Sequence, residues 1–307
     1  MSNPTLSVVV PTVGRKLLDK TLESIIAQEV PPDEIIVFDN SGSGSAKANS
    51  RYADDVRIHW EVSGFKRDII SSWNTAVPFA SCEFVHICGD DDLLYPDFVR
   101  EVKKALRQNC GCVYCPFVEF AEEPETPGVN GLSEAVFVPG AEFARRIMEF
   151  NTPYRLSSLV FRRDIFEKVC GFKDVIVNGL LMDQLFNVEA AFAAERVCLL
   201  PRPVWAYRTT AADWSGRLRS REQEAGFAGQ INRYTRLLQD IFSANKTALP
   251  EGALRACLRV CIRLFMGKSA TFGHFLHGVQ VFVVKERFFF LSRIDCFRDL
   301  FYVYRRG

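Results

Sequence analysis

Residues 83–98 read Glu-Phe-Val-His-Ile-Cys-Gly-Asp-Asp-Asp-Leu-Leu-Tyr-Pro-Asp-Phe, and the junction inside them decides the fold. The apolar half, residues 84–88, has the length and composition of a short buried strand. Asp90, Asp91 and Asp92 end it abruptly, which sets three carboxylates at the strand's C-terminal edge. Ionised carboxylates this close repel one another and persist where a cation, hydrogen-bond donors or water offset the repulsion. Magnesium and manganese do so with hard oxygen ligands, commonly one or two carboxylates plus the phosphates of a substrate. A solvated acidic turn before the helix that Pro96 begins is the other reading, because Asp also suits the positive N-terminus of a helix.

Working outward, the same pattern of strand and polar end occurs twice upstream. Residues 6–10, Leu-Ser-Val-Val-Val, run into the turn Pro11-Thr-Val-Gly-Arg15, after which Leu18, Leu22, Ile25 and Ile26 recur at helical spacing. Residues 34–38, Glu-Ile-Ile-Val-Phe, end at Asp39-Asn40-Ser-Gly. Residues 57–60 supply a short third strand and residues 66–80 a helix-like segment. Successive strand–helix units predict a parallel sheet with ligands bound beyond the carboxyl ends of its strands. The loop 11–15, Asp39 and the acidic triplet then share one edge, as polar residues suited to a nucleotide. No Gly-x-Gly-x-x-Gly follows the first strand and no Gly-x-x-x-x-Gly-Lys-Ser/Thr occurs, which disfavours the dinucleotide fold and the phosphate-loop ATPases. An α/β sheet that handles phosphate through a metal and scattered donors is what remains.

Downstream, Cys110-Gly-Cys112-Val-Tyr-Cys115 lacks a second pair at zinc spacing and reads as buried strand cysteines. Residues 122–133, with Pro124, Pro127, Gly128 and Gly131, read as an exposed acidic loop. Residues 135–138 and 157–164 are strand-like, and Pro139-Gly140 opens a helix to about residue 149. Asp183 is a single carboxylate opening an apolar helix, as a cap or as a catalytic base.

The 307 residues suffice for one large α/β domain with an appendage, and 48% hydrophobic and 24% charged residues are ordinary globular values. The net charge of +1 hides an asymmetry: from Arg255 onward ten Lys/Arg stand against three Asp/Glu, a net of +7, leaving −6 for the first 254 residues. There, Leu254, Cys257, Leu258, Cys261, Ile262 and Phe265 recur at helical spacing, with Arg255, Arg259 and Arg263 on another face. That surface either packs on protein or rests on anionic lipid. No motif for nucleic acid accompanies the charge, so nucleic acid is not an expected partner. Ten scattered cysteines and no basic-then-apolar opening segment point to a cytoplasmic setting, with peripheral attachment to the inner face of a membrane if the tail meets lipid.

Taken in order, Leu6-Ser-Val-Val-Val-Pro-Thr12, Leu22-Glu-Ser-Ile-Ile-Ala-Gln28, Asp33-Glu-Ile-Ile-Val-Phe-Asp-Asn-Ser-Gly42, Ser72-Trp-Asn74 and Gly89-Asp-Asp-Asp-Leu-Leu-Tyr-Pro96 resemble the family 2 glycosyltransferases of the GT-A fold, inverting enzymes of the kind that build bacterial surface glycans. The resemblance implies a nucleotide-diphosphate sugar donor, a glycan or lipid-linked acceptor hydroxyl, and a divalent metal, magnesium or manganese. It implies nucleotide binding by Pro11, Thr12, Arg15, Asp39, Asp90 and Asp91, with Lys66, Arg67 and Asn74 near the nucleotide sugar. A solvated helix face for Lys66 and Arg67, and a structural hydrogen bond for Asn74, are the alternatives.

The metal falls to two of the triplet. Gly89 stands where many members carry a leading acid, and Asp90 with Asp92 is the expected pair because alternate residues of an extended end point the same way. Asp183 matches the family's base, with Met182 where a first acid often stands. Arg208, in the Tyr-Arg after the base, and Trp214 are candidates for a diphosphate contact or lid, since Thr210 replaces a frequent His. The expected layout is a catalytic domain at 1–215, with a nucleotide-sugar half (1–118) and an acceptor half (119–215), then a helical region at 216–307. A sugar nucleotidyltransferase, or a non-catalytic nucleotide- or glycan-binding relative, are the alternatives in function.

Overall fold

The computed structural model describes residues 3–121, 134–149, 155–176, 181–209 and 227–250, together with 152, 179, 252 and 253. Leu6–Thr12 form β1, buried along its whole length, and Glu34–Asp39 form β2. Between them α1, Leu18–Ile26, buries Leu18, Leu22 and Ile25, the apolar stripe of the sequence. A short α2, Ser45–Ala48, leads to β3, Ile58–Val62. Helix α3 is Ile69–Ala76, shorter than the 66–80 segment. Asp68 is the reason: its carboxylate accepts the Ser71 N–H at 2.9 Å, so the helix is capped there and Lys66 and Arg67 precede it. They do not belong to a helix face.

Strand β4, Phe84–Ile87, is followed by β5, Leu93–Leu94, and α4, Phe98–Leu106. Then come β6 (Cys112–Tyr114), β7 (Phe117–Phe120), β8 (Val136–Pro139) and α5 (Gly140–Met148). A single 3-10 turn, Leu156–Ser158, enters β9 (Leu159–Arg162), and α6 (Arg163–Lys168) follows. Helix α7 is Met182–Ala194, β10 Arg196–Leu199, β11 Trp205–Arg208 and α8 Phe227–Ala244. Strands β5, β7 and β10 and helices α2 and α6 are additions to the sequence expectation, whereas α8 lies within the 216–307 region expected to be helical. Among the described residues, no helix is long and apolar enough to cross a membrane.

Eight strands form one sheet in the order β3-β2-β1-β4-β9-β6-β10-β8. The first four are mutually parallel, as expected of successive strand–helix units, and β9 is antiparallel to both β4 and β6. A separate, smaller sheet has the order β5-β11-β7, with the fully buried Trp205 of β11 donating its indole N–H to the Cys115 carbonyl at 2.8 Å. Val9 pairs with Ile87 and its carbonyl accepts the Cys88 N–H, after which the β1–β4 pairing stops. Pro11, two residues on and on the same side, therefore forfeits no ladder bond.

Helix α7 is fixed by aromatic packing and close backbone approach. Phe186 lies 4.3 Å from the Phe172 ring and 5.0 Å from Phe161, centroid to centroid. A Cβ on Gly140 would fall 1.8 Å from the Ala191 carbonyl oxygen, so only glycine lets α5 begin against this helix. The chain divides into two units, one of Met1–Ile147, Pro153–Lys173 and Asp183–Thr209, the other of Met148–Thr152, Asp174–Met182 and Thr210–Gly307. In the second, α8 buries Ile231, Tyr234, Leu238 and Phe242 at helical spacing.

Candidate functional site

The strand order reverses between β1 and β4, the two neighbours whose C-terminal ends open the crevice of an α/β sheet. A hydrogen bond spans that point. Thr12 Oγ1, at the end of β1, donates to Asp90 Oδ2 at 2.6 Å and accepts the Gly14 N–H at 2.9 Å. Arg15, on the same loop, brings its guanidinium 2.6 Å from Asp91 Oδ2 and 3.5 Å from Asp90 Oδ1. Thr12, Arg15, Asp90 and Asp91 are thus one cluster, with Pro11 next to it in the chain at the end of β1.

The triplet itself is not extended. Residues 90 and 91 form a turn closed by the Asp92 N–H on the Gly89 carbonyl at 3.2 Å, so the alternation that paired Asp90 with Asp92 does not apply. Asp90 and Asp91 converge on Arg15, whereas Asp92 takes different partners: Ser157 Oγ donates to its Oδ2 at 2.8 Å and the Arg208 N–H to its Oδ1 at 3.2 Å. An added Cβ on Gly89 would meet Asp92 Oδ2 at 2.6 Å, so the carboxylate folds back over that glycine. Burial, only partly offset by the Ser157 hydroxyl and the Arg208 N–H, pushes the Asp92 carboxyl up to about 7. Burial also raises Asp90, against the pull of Arg15 and the Thr12 hydroxyl.

Asp39 is fully buried at the end of β2, its two oxygens accepting the Ser41 N–H at 2.8 Å and the Lys47 N–H at 2.9 Å. It therefore shapes the loop beyond its strand. The adjacent Asn40, which the sequence reading passed over, clamps Arg67 by both backbone groups: its Oδ1 accepts the Arg67 N–H at 2.9 Å and its Nδ2 donates to the Arg67 carbonyl at 3.0 Å. Lys66 is exposed and Arg67 half-buried, with the Arg67 guanidinium 4.1 Å from the Phe65 ring centroid. A polar residue directly after a strand-end Asp was the available signal for Asn40.

Asn74 is held elsewhere. Its Nδ2 donates to the Phe172 carbonyl at 2.9 Å and its Oδ1 accepts the Phe172 N–H at 2.8 Å, which pins the Gly171–Phe172 turn to α3. These are the structural hydrogen bonds that stood as the alternative for Asn74. Arg208 contributes its backbone to Asp92, and its Nε donates to the Ala121 carbonyl at 3.3 Å. Trp214 and Thr210 lie outside the described residues. So do the loop 122–133 and the basic segment from 254 on.

Asp183 is the second residue of α7, not its cap, and the helix begins directly after Leu181, whose φ is 59°. Its Oδ1 accepts the Gln184 N–H at 2.9 Å. Burial raises its carboxyl above the usual carboxylate range, while that N–H and the Arg155 charge pull the other way. Arg155, missed in sequence, reaches Glu119 at 3.1 Å and stacks 4.7 Å from the Tyr207 ring centroid. His86 is excluded as an acid–base group near neutrality, because complete burial holds its imidazole down at about 3.

The donor set tests the expected metal. Among the described residues no group of three His, Cys, Asp or Glu side chains is arranged around a common point. Asp90 and Asp91, hard-oxygen groups already sharing one cation in Arg15, fit a magnesium or manganese ion that takes most of its remaining ligands from diphosphate and water.

Known proteins bear on this geometry. The chain is 38% identical over 202 residues to the GalNAc(5)-diNAcBac-PP-undecaprenol beta-1,3-glucosyltransferase of Campylobacter jejuni, a match covering 63% of this chain and 65%, less than two thirds, of that relative. Its structure resembles that of S. aureus TarS (residues 1–349) in complex with UDP-GlcNAc, at a TM-score of 0.58 and 15% identity over 99% of this chain and 92% of that one. It also resembles the mannosyltransferase PcManGT from Pyrobaculum calidifontis in complex with GDP-Man and Mn2+, at a TM-score of 0.52 and 18% identity over 99% and 87%. These likenesses establish the fold, which is the GT-A arrangement. The model for Glycosyl transferase family 2 matches residues 7–170, more than half of the chain, and the protein belongs to that family.

Proposed function

We propose that the protein transfers a sugar from a nucleoside-diphosphate donor to an acceptor hydroxyl, with inversion at the sugar carbon. The observation that carries this reading is the convergence of Thr12, Arg15, Asp90 and Asp91 at the point where the sheet order reverses. Pro11 and Thr12 shape the loop on which the nucleotide rests, Asp39 and Asn40 hold the neighbouring loop and Arg67 beside it, and Arg15 is the cation free to turn from carboxylates to phosphate. A divalent metal held by Asp90 and Asp91, when bound, supplies charge neutralisation for the leaving diphosphate. Asp183 accepts the proton of the attacking hydroxyl, and burial suits it to that task by bringing its proton affinity closer to neutrality.

Titration of UDP- and GDP-sugars into the folded protein, with and without Mn2+, tests the donor half of the reading. Saturable binding that strengthens with Mn2+ is expected. Absence of binding to every sugar nucleotide in the panel would overturn the enzyme reading and favour the non-catalytic alternative.

The acceptor reading is a glycan on a lipid carrier, supported by the name of the Campylobacter relative, which opens with a glycan on PP-undecaprenol. A cytoplasmic protein resting on the inner face of a membrane suits that acceptor, and the net +7 of the segment from Arg255 on is the sequence support for the contact. In liposome flotation with anionic lipid, full-length protein should rise with the vesicles and a 1–250 chain should remain below. Equal flotation of the two would remove the tail from this role.

A further inference from the structure

The Asp92 carboxylate is gripped from parts of the chain far apart in sequence. Ser157 Oγ donates to Asp92 Oδ2 at 2.8 Å and accepts the Gly89 N–H at 3.1 Å, while the Arg208 N–H reaches Asp92 Oδ1 at 3.2 Å. A serine has one proton to give, and here it goes to the carboxylate while a lone pair takes the amide. Ser157 is 3% exposed and Asp92 3%, so these bonds are made away from water. The turn that carries Ser157 is itself anchored, since Ser158 Oγ accepts the Arg155 N–H at 2.8 Å and the Ser158 carbonyl accepts the Cys115 N–H at 2.8 Å. Gly89 completes the seat, because any side chain there would occupy the volume of Asp92 Oδ2.

We propose that Ser157 is a positioning residue of the donor site: it holds the Asp92 carboxylate over Gly89 and against β11, leaving Asp90 and Asp91 as the pair that faces Arg15 and the donor diphosphate. The inference rests on the donor-site reading above. Removing the hydroxyl leaves the Gly89 N–H and Asp92 Oδ2 buried and short of a partner. The side chain then relieves itself by rotating off Gly89, which frees the turn that carries Asp90 and Asp91. Ser157 acts on Asp90 and Asp91 through the turn that joins them to Gly89 and Asp92, and losing an outer partner of a metal site typically changes affinity by about 10–100-fold.

The test is calorimetric binding of UDP and GDP to the full-length protein, each with and without Mn2+, for wild type, Ser157→Ala, Ser157→Thr and Gly89→Ala. Ser157→Ala should weaken the nucleotide that wild type prefers by about tenfold or more in Mn2+. Its metal-free binding should change far less. Ser157→Thr, which keeps the hydroxyl, should recover most of the affinity, and Gly89→Ala, which displaces the carboxylate from its other side, should reproduce the loss. Should Ser157→Ala fail to fold, Ser157→Cys preserves the volume with a weaker hydrogen-bonding group and serves the same comparison. Wild-type affinity in a folded Ser157→Ala or Ser157→Cys protein, or an equal loss with and without Mn2+, would overturn the proposal. A wild type that binds neither nucleotide would instead overturn the donor-site reading beneath it.

Discussion

Asp183→Asn should lower turnover by about 10²–10⁴-fold, the usual contribution of a positioned general base, while nucleotide-sugar affinity stays at the wild-type level. Asn has the same shape, and its Oδ1 can still accept the Gln184 N–H, so α7 keeps its first turn. What it loses is the ability to take a proton. The pH dependence supplies a second readout. Burial raises the folded carboxyl, so the active, ionised form is fully present at high pH and is lost as pH falls through that raised value. The wild-type rate should therefore decline on the acid side at a pH above the ordinary carboxylate range, and the variant's residual rate should lack that limb. Retained turnover would move the role of base to another residue.

Exchanging both Asp90 and Asp91 for Asn should abolish the strengthening of nucleotide binding by Mn2+, a loss on the order of 10²-fold, with inactivity in transfer. Asn at 90 still offers an oxygen to the Thr12 hydroxyl, and removing two crowded charges relieves repulsion, one of them on a carboxyl that burial already disfavours as the anion. Thermal stability without ligand should consequently hold or rise, which separates a lost cation site from a damaged fold. A Mn2+ response that survives in the double variant would transfer the metal to Asp92 or to groups outside the cluster.

Much of the first half of the fold was legible because its signals are local. β-branched runs that are apolar on both faces predict a buried parallel strand, and polar residues that stop each run mark the strand's end. Hence β1, β2 and β4, and the shared edge of Thr12, Asp39 and Asp90, follow from residues read in order. The short strands of the second half were harder. Strands β5 and β10 have two and four residues, and the four-residue β7 follows closely on the run read as buried strand cysteines, so periodicity has too few positions to act on. The start of α3 was missed by three residues, Lys66, Arg67 and Asp68, because the cap is a bond from the Ser71 N–H to the Asp68 carboxylate, which apolar periodicity does not register.

By itself, the sequence determined that an α/β sheet ends in polar loops on one edge, that three carboxylates crowd one of those ends, and that the ordered motifs are those of a glycosyltransferase family. The tertiary structure alone decided how the three carboxylates divide. Extended backbone would have paired Asp90 with Asp92, but the chain turns at 90 and 91, and the partners that settle each side chain come from 65 to 116 residues away: Arg15 for Asp90 and Asp91, Ser157 and Arg208 for Asp92. A hydrogen bond's worth depends on burial and direction, and neither is set until distant strands are side by side.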